Sequence, residues 1–295
     1  MDVRVLRYFL AVCEEGSMSR AAEVLHVTQP ALSRQIADLE RELDCTLLMR
    51  ESRGVAPTEG GLYLRRRAEE IISLVDQTKA EFIKDEMVEG DVYIGAGESD
   101  GMRVVAERIK KFREAYPQVC FHLHSGNSVD VIERLERGLD DFAVLMSYPE
   151  INRYLHIRLK PTDAWGVFMQ EDDPLAQKQF IGPDDLVDKP LVVSEQAMKT
   201  GALAHWFGDG IKETDIVATY NLVFNAVQLA RVNAGYVLTF DKLASAEEGS
   251  GLVFRLLYPP VVSSIDFAWK RDQAMSSAAQ KFLEYMRMDD KEEAK

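Results

Sequence analysis

The chain has 295 residues, of which 46% are hydrophobic and 28% charged, and a formal net charge of −14. That is the composition of an ordinary soluble protein with room for two or three domains and a large core. No apolar run approaches the roughly 18–20 residues that span a bilayer, and the acidic balance excludes nonspecific coating of nucleic acid while leaving a small, local DNA contact open. The first stretch, "MDVRVLRYFLAVCEEG", is broken by Arg4, Arg7, Glu14 and Glu15 and lacks a small-residue cleavage site. It therefore reads as the first helix of a domain, not as a signal peptide. Leu6, Phe9, Leu10 and Cys13 lie on one face, Gly16 stops the helix, and Ser17 is placed to cap the next. "MSRAAEVLHV" is a short second helix with Ala21, Ala22 and Leu25 turned inward, and "HVT" is a tight turn. In the third helix Leu32, Ile36 and Leu39 share a face. Thr28 is placed to cap it, and Pro30 falls in its first turn, where a missing N–H costs nothing. "CTLLMRESRGVAPTEGG" then reads as a strand, a basic turn and a second strand ending at Pro57.

From residue 58 the pattern changes. Leu64, Ala68, Ile71, Val75, Thr78 and Phe82 step by four and three, a narrow apolar seam flanked by charge. That is the pattern of a linker helix over residues 58–89 that pairs with a second chain. Residues 90–295 alternate strands ("DVYIGAG", "VCFHLHSG", "FAVLM", "WGVFMQ", "PLVVS", "DIVATY", "AGYVLTF", "IDFAWK") with helical stretches. This predicts βαβ units and a mostly parallel sheet. The layout suggests two α/β lobes, with the chain crossing near Pro161 and returning near Ile265: lobe I is 90–161 with 266–295, lobe II is 162–265.

A first helix, a short helix, a tight turn and a longer helix, followed by a strand pair, is a winged helix-turn-helix over residues 1–60. Such a motif sets the start of its last helix in the DNA major groove. The groove calls for side chains such as Gln, Arg, Ser and Thr, which hydrogen-bond base edges. From Thr28 to Ala37 there is no acid and one base, Arg34, whereas Asp38, Glu40, Glu42 and Asp44 follow toward the end expected to point out of the groove. The wing turn adds Arg50 and Arg53 against Glu51.

These residues resemble the N-terminal domain of LysR-type transcriptional regulators. The resemblance rests on the paired alanines of helix two, the "TQPALSRQI" recognition helix, "LDCTLLMR" and the "PTEGG" that closes the wing. It implies a mainly α winged helix-turn-helix, a long linker helix, and a two-lobed α/β effector-binding domain similar to periplasmic solute-binding proteins. Position by position, Thr28, Gln29, Pro30, Ser33 and Arg34 match the family's recognition-helix contacts. Ser17, Arg50 and Arg53 match its phosphate contacts. Leu64, Ala68, Ile71, Val75 and Phe82 are the expected dimer seam. The family also implies a dimer that assembles into a tetramer, double-stranded promoter DNA as partner, RNA polymerase as a further one, no membrane, no resident cofactor and no catalysis.

The family further implies a small molecule between the lobes. Ligands of open α/β sheets sit at the carboxyl ends of strands. That rule selects Ser99 and Asp100 after the first strand, Asn127 and Ser128 after the second, Met146 after the third, and Thr200 with Gly201 in the other lobe. Met146 stands where dicarboxylate-binding relatives carry an arginine, and Glu98 and Asp100 add negative charge. A strongly anionic ligand is disfavoured, and neutral, mixed or cationic ligands stay open.

Cys13, Cys45 and Cys120 are odd in number, widely spaced and set among apolar neighbours. Buried free thiols in a reducing, cytoplasmic setting are expected. His122 and His124 alternate on one strand and so share a face, but no carboxylate or cysteine at a suitable sequence spacing completes a metal or catalytic site. The competing expectation is a solute-binding or enzymatic two-lobed domain carrying a winged-helix interaction module.

Overall fold

The computed structural model describes residues 1–51, 54–82, 88–208, 215–243 and 251–292. The chain divides into two compact units, Met1–Lys84 and Asp85–Lys295.

In the first unit three helices, α1 (Val3–Glu15), α2 (Met18–Val24) and α3 (Gln29–Glu42), close on one core. Leu6, Phe9, Ala21, Ala22, Leu32, Ile36 and Leu39 are all buried there, which is the face their spacing dictates. Gly16 ends α1 in the left-handed conformation, φ 59°, and Ser17 Oγ accepts the N–H of Arg20 at 3.4 Å to open α2. His26, φ 54°, turns the chain toward α3. Strands β1 (Leu48–Glu51) and β2 (Gly54–Pro57) form an antiparallel hairpin. It is tied back to α1 by the Val55 N–H to Gly16 O bond, 2.9 Å. At Gly54, φ is 142° and a Cβ would stand 2.3 Å from Gly16 O, so only glycine fits. A 24-residue helix, α4 (Glu59–Phe82), completes the unit.

The second unit is built on a sheet ordered β4–β3–β5–β12–β6–β10–β8–β9, with β11 beside β6 and β7 beside β11. In chain order these strands are β3 (Gly90–Ala96), β4 (Val119–Ser125), β5 (Phe142–Met146), β6 (Leu155–Gln170), β7 (Phe180–Ile181), β8 (Leu191–Ser194), β9 (Ile216–Tyr220), β10 (Tyr236–Phe240), β11 (Leu252–Leu257) and β12 (Val262–Trp269). The helices are α5 (Met102–Ala115), α6 (Ser128–Glu136), α7 (Glu195–Thr200), α8 (Ala202–Phe207), α9 (Val223–Arg231) and α10 (Ser277–Glu292). The expected mostly parallel sheet is in fact mixed. β3 pairs in parallel with β4 and β5, and β8 with β9 and β10, but β6 and β12 run antiparallel to their neighbours. The reason is β6. The segment "WGVFMQ", expected as a strand of its own, is the second half of one 16-residue strand. Its first part pairs with β12 and its last part with β10 and β11. At the change-over the β6–β12 register slips between Ser264 and Ile265, leaving Lys160 and Pro161 outside the paired residues. Proline has no N–H to give a ladder and is tolerated at such a bulge. Two separate groups of core residues flank this point. One holds Ile94, Phe112, Phe142, Phe267 and Phe282, the other Trp165, Val167, Leu191, Leu203 and Leu238.

The expectation of buried cysteines fails. Cys13 is half-buried, and Cys45 and Cys120 are exposed. On strand β4 the apolar neighbours Val119 and Phe121 point to the opposite face from Cys120, so apolar flanks say nothing of its burial. Desolvation by burial pushes the Cys13 thiol up, to about 11.

Candidate functional site

The first candidate surface is the start of α3. Thr28 holds the N-cap position in extended conformation, but its side chain makes no capping bond, contrary to the sequence expectation. The helix begins at Gln29 with Pro30 in its first turn. Thr28, Gln29, Pro30 and Arg34 are exposed and Ser33 half-buried. Gln29 Nε2 donates to Ser33 Oγ at 2.9 Å, joining the two one turn apart. Arg34 has no ion-pair partner among the described residues, so its guanidinium is free for an acceptor outside the chain. The acids that follow are not simply a solvated end. Glu40 Oε1 accepts the N–H groups of Leu47 (2.7 Å) and Leu48 (3.1 Å), fastening the wing to α3. Ser17 Oγ accepts the capping N–H of α2, which leaves its hydroxyl proton to donate. Arg53 lies outside the described residues, and of Arg50 and Phe82 only the backbone is described.

Helix α4 requires a correction. Leu64 (7% exposed) and Ala68 (0%) are buried in the core of their own unit, with Ile71 packed against it. The a/d spacing was correct, but α1 takes the first half of the seam. Arg7 of α1 also pairs with Asp76 of α4. Among the described side chains of α4, the large apolar ones left in solvent are Leu62, Tyr63 and Leu74.

In the second unit the carboxyl ends of several strands surround a cavity of about 60 Å³. One wall carries Glu98, Asn127 and Met146. The other carries Ser194, Gln196, Tyr220, Asn221 and Thr239, and Trp165 and Phe240 also line the cavity. A neighbouring hollow of about 200 Å³ shares Asn127, Gln196 and Asn221 and adds Ser128 and Tyr148. Polar groups reach across the cleft. Gln196 Oε1 accepts the Ser128 N–H at the start of α6, 2.9 Å, and a Glu98 carboxylate oxygen accepts the Val223 N–H at the start of α9. Both helix starts are thus occupied by a side-chain oxygen of the chain itself. Asn127 Oδ1 is spent capping α6 through Val129 (2.9 Å) and Asp130 (3.1 Å). Tyr220 donates to Leu238 O at 2.7 Å, and burial pushes its phenol pKa up.

Among the sequence-selected effector residues, Asn127 and Met146 line the cavity and Ser128 lines the hollow beside it. Ser99 and Asp100 do not line either. Ser99 is buried, accepts the Gly101 N–H at 2.9 Å and hydrogen-bonds Asp163; Asp100 pairs with Lys242 at 3.3 Å. Gly201 also misses, because α7 begins directly after β8. The strand's carboxyl end is therefore Ser194, which caps α7 through Ala197 N, 3.4 Å, while Gly201 (φ 76°) sits at the far end of that helix. The side chain of Thr200 is not described. Ser194, Tyr220 and Thr239 were findable by the same strand-end rule applied to "PLVVS", "DIVATY" and "AGYVLTF". Gln196 and Trp165 had no local signal.

The histidine pair also changes. His122 Nε2 lies 2.9 Å from Asp91 Oδ1, and Cys120 belongs to the same group. The carboxylate and thiol missing from the sequence spacing arrive from the neighbouring strand and from two residues upstream, while His124 is not part of the group.

A winged helix-turn-helix with an acid-free, exposed recognition edge, in one chain with a cleft-bearing α/β unit, defines a DNA-binding regulator with a domain for a small molecule. Residues 3–62 match the bacterial regulatory helix-turn-helix protein, lysR family, and residues 85–290 match the LysR substrate binding domain. The chain belongs to the LysR family of transcriptional regulators, whose members are not enzymes. It is 25% identical to the uncharacterized HTH-type transcriptional regulator YvbU of Bacillus subtilis (strain 168), over 96% of this chain and 97% of that one. It is 29% identical to the Hca operon transcriptional activator HcaR of Escherichia coli (strain K12), over 96% of each. Among solved structures, full-length CbnR complexed with its target DNA superposes with a TM-score of 0.72 at 18% identity, covering 98% of this chain and 99% of that one. No helix among the described residues is long and apolar enough to cross a membrane.

Proposed function

We propose that this regulator acts in the cytoplasm as a dimer, assembling further to a tetramer, that reads promoter DNA with the start of α3 and the wing. A small molecule in the cleft of the second unit sets its output, with RNA polymerase as the downstream partner. The observation that carries the DNA reading is the Thr28–Arg34 surface: exposed, free of acids, and presenting an unpaired Arg34 beside the Gln29–Ser33 pair. Gln and Arg are the side chains that read adenine and guanine edges in the major groove. Ser17, Arg50 and Arg53 are assigned to phosphates.

For the effector we propose a small neutral or cationic molecule with an apolar or aromatic part. Glu98 is the one ionisable acid, and no lysine or arginine is present, among the described residues lining the cavity, and Trp165, Phe240 and Tyr220 supply flat apolar surface. Asn127, Met146 and Ser128 take part as lining groups, and Ser99, Asp100, Thr200 and Gly201 support the walls. The test is fluorescence anisotropy with the duplex upstream of the protein's own gene. Arg34→Ala and Gln29→Ala are each expected to lose about 1–3 kcal/mol of specific binding with the fold and oligomer unchanged. Equal affinity of both variants and wild type overturns the assignment.

A further inference from the structure

We propose that the open end of the β3–β4 strand pair is a site for a borderline divalent transition metal, Zn²⁺ or a close relative such as Co²⁺, held by Asp91, Cys120 and His122. The site stands on strand geometry alone and is independent of the DNA and effector readings.

In the parallel β3–β4 ladder Asp91 is opposite Cys120, and Tyr93 is opposite His122. Residues at register positions two apart share a face, so the carboxylate, thiol and imidazole emerge together. Their ligand atoms all lie within 4.8 Å of one another, and all three residues are exposed. Farther along the same face, α6 closes over the sheet: a Cβ at Gly95 would meet Val131 and Asp140. The Asp91 end is left open. Two contacts already orient the imidazole. Asp91 Oδ1 stands 2.9 Å from Nε2, and the ring stacks on Tyr93 at 4.6 Å and 16°.

Metal bonds of about 2.0–2.1 Å to N and O, and about 2.3 Å to S, at a tetrahedral angle set N and O roughly 3.3 Å apart and S some 3.6 Å from each. The Asp91–His122 contact therefore opens by a few tenths of an ångström. The widest ligand spacing closes by at most about 1.2 Å, within the reach of exposed side chains on a fixed backbone. Cys120 binds as thiolate, its proton passing to solvent, and water takes the fourth position. One soft sulfur with imidazole and carboxylate selects Zn²⁺, Co²⁺ or Ni²⁺ over Mg²⁺ and Ca²⁺, which want oxygen alone.

The experiment is a Co²⁺ titration of the reduced, chelator-treated full-length protein followed by absorption, then displacement by Zn²⁺. One equivalent per chain is expected, with a near-ultraviolet thiolate-to-cobalt band that Zn²⁺ removes and excess Mg²⁺ does not. Cys120→Ser is expected to abolish the band. His122→Ala and Asp91→Asn should each weaken binding by at least the ~10–100-fold that loss of an outer-shell partner costs. Cys45→Ser, which removes the other exposed thiol, should leave the spectrum unchanged. All of these positions are exposed, and matching circular-dichroism melts check that each variant is folded. Absence of a thiolate band in wild type, its survival in Cys120→Ser, or its loss in Cys45→Ser overturns the site.

Discussion

At Asp163 the chain buries a carboxylate and satisfies only half of it. The side chain is 1% exposed, Ser99 hydrogen-bonds it, and Oδ2 has no partner among the described residues. Desolvation, reinforced by the nearby charges of Asp241 and Asp100, pushes the carboxyl up to about 6, against the opposing pull of Ser99 and Lys242. A carboxyl raised in the folded state binds its proton more tightly there than in the unfolded chain. Its protonated form therefore favours folding at pH below about 4, and that advantage is lost as pH rises through about 6. Asp163→Asn is accordingly expected to raise stability at pH 7.5 by ~1–3 kcal/mol and to leave it nearly unchanged at pH 4. Thermal melts across that range check it, and a variant equally shifted at both pH values contradicts it. At this scale the sequence was legible where the signal is local. Gly16, Ser17 and Pro30 punctuate helices through their own backbone chemistry. It was not legible at Asp163, Gln196 or Asp91, whose roles come from partners on other strands and helices.

Among the elements, α4 separates periodicity from destination. A four–three spacing states that Leu64, Ala68 and Ile71 share a face, but not whether that face meets a second chain or the helix packed beside it. Here α1 meets it, because the three-helix unit is too small to close its core without a fourth element. Leu64→Ala should thus cost about 2–4 kcal/mol in melting of the protein while leaving its oligomeric state intact. Leu74, 39% exposed on α4, behaves in the opposite way: Leu74→Glu should leave the melting temperature of the first unit unchanged and shift size-exclusion mass toward the monomer. If Leu64→Ala dissociates the protein, the assignment of that face is wrong. The wing gives a further check. Gly54→Ala forces a Cβ against Gly16 O at a φ that alanine resists, and it should weaken DNA binding far more than it alters the circular dichroism of the helices. Strand β6 shows the other limit of pattern reading. "WGVFMQ" was recognised as extended chain, yet its continuity with residues 155–164 follows from pairing with β12, a partner more than 90 residues away.

For the molecule as a whole, a net charge of −14 and DNA binding coexist only if the attraction is confined to a few groups. The proposed phosphate contacts, Arg50 and Arg53, supply two cations per head. Two heads on one duplex then predict a slope of log affinity against log salt of about −4, and Arg50→Ala in both heads makes it shallower by about 2. A slope near zero rules out phosphate contact of this kind. The order of the elements and the existence of a cleft were readable from the chain. The cleft's chemistry was less so, because half of it is supplied by strand ends that neighbour one another only after β6 and β12 have passed from one core to the other. One consequence follows from Glu98, whose carboxylate rests on the first N–H of α9. A tethered anion competes for that position at an effective concentration that a free metabolite rarely matches. Any carboxylate-bearing ligand drawn to the same helix end binds with its intrinsic affinity multiplied by the small fraction of molecules in which Glu98 has swung away. A cation has no such rival. The dose at which this protein responds is then a property of one of its own side chains, and it can drift over evolutionary time without any change in the groups that touch the effector.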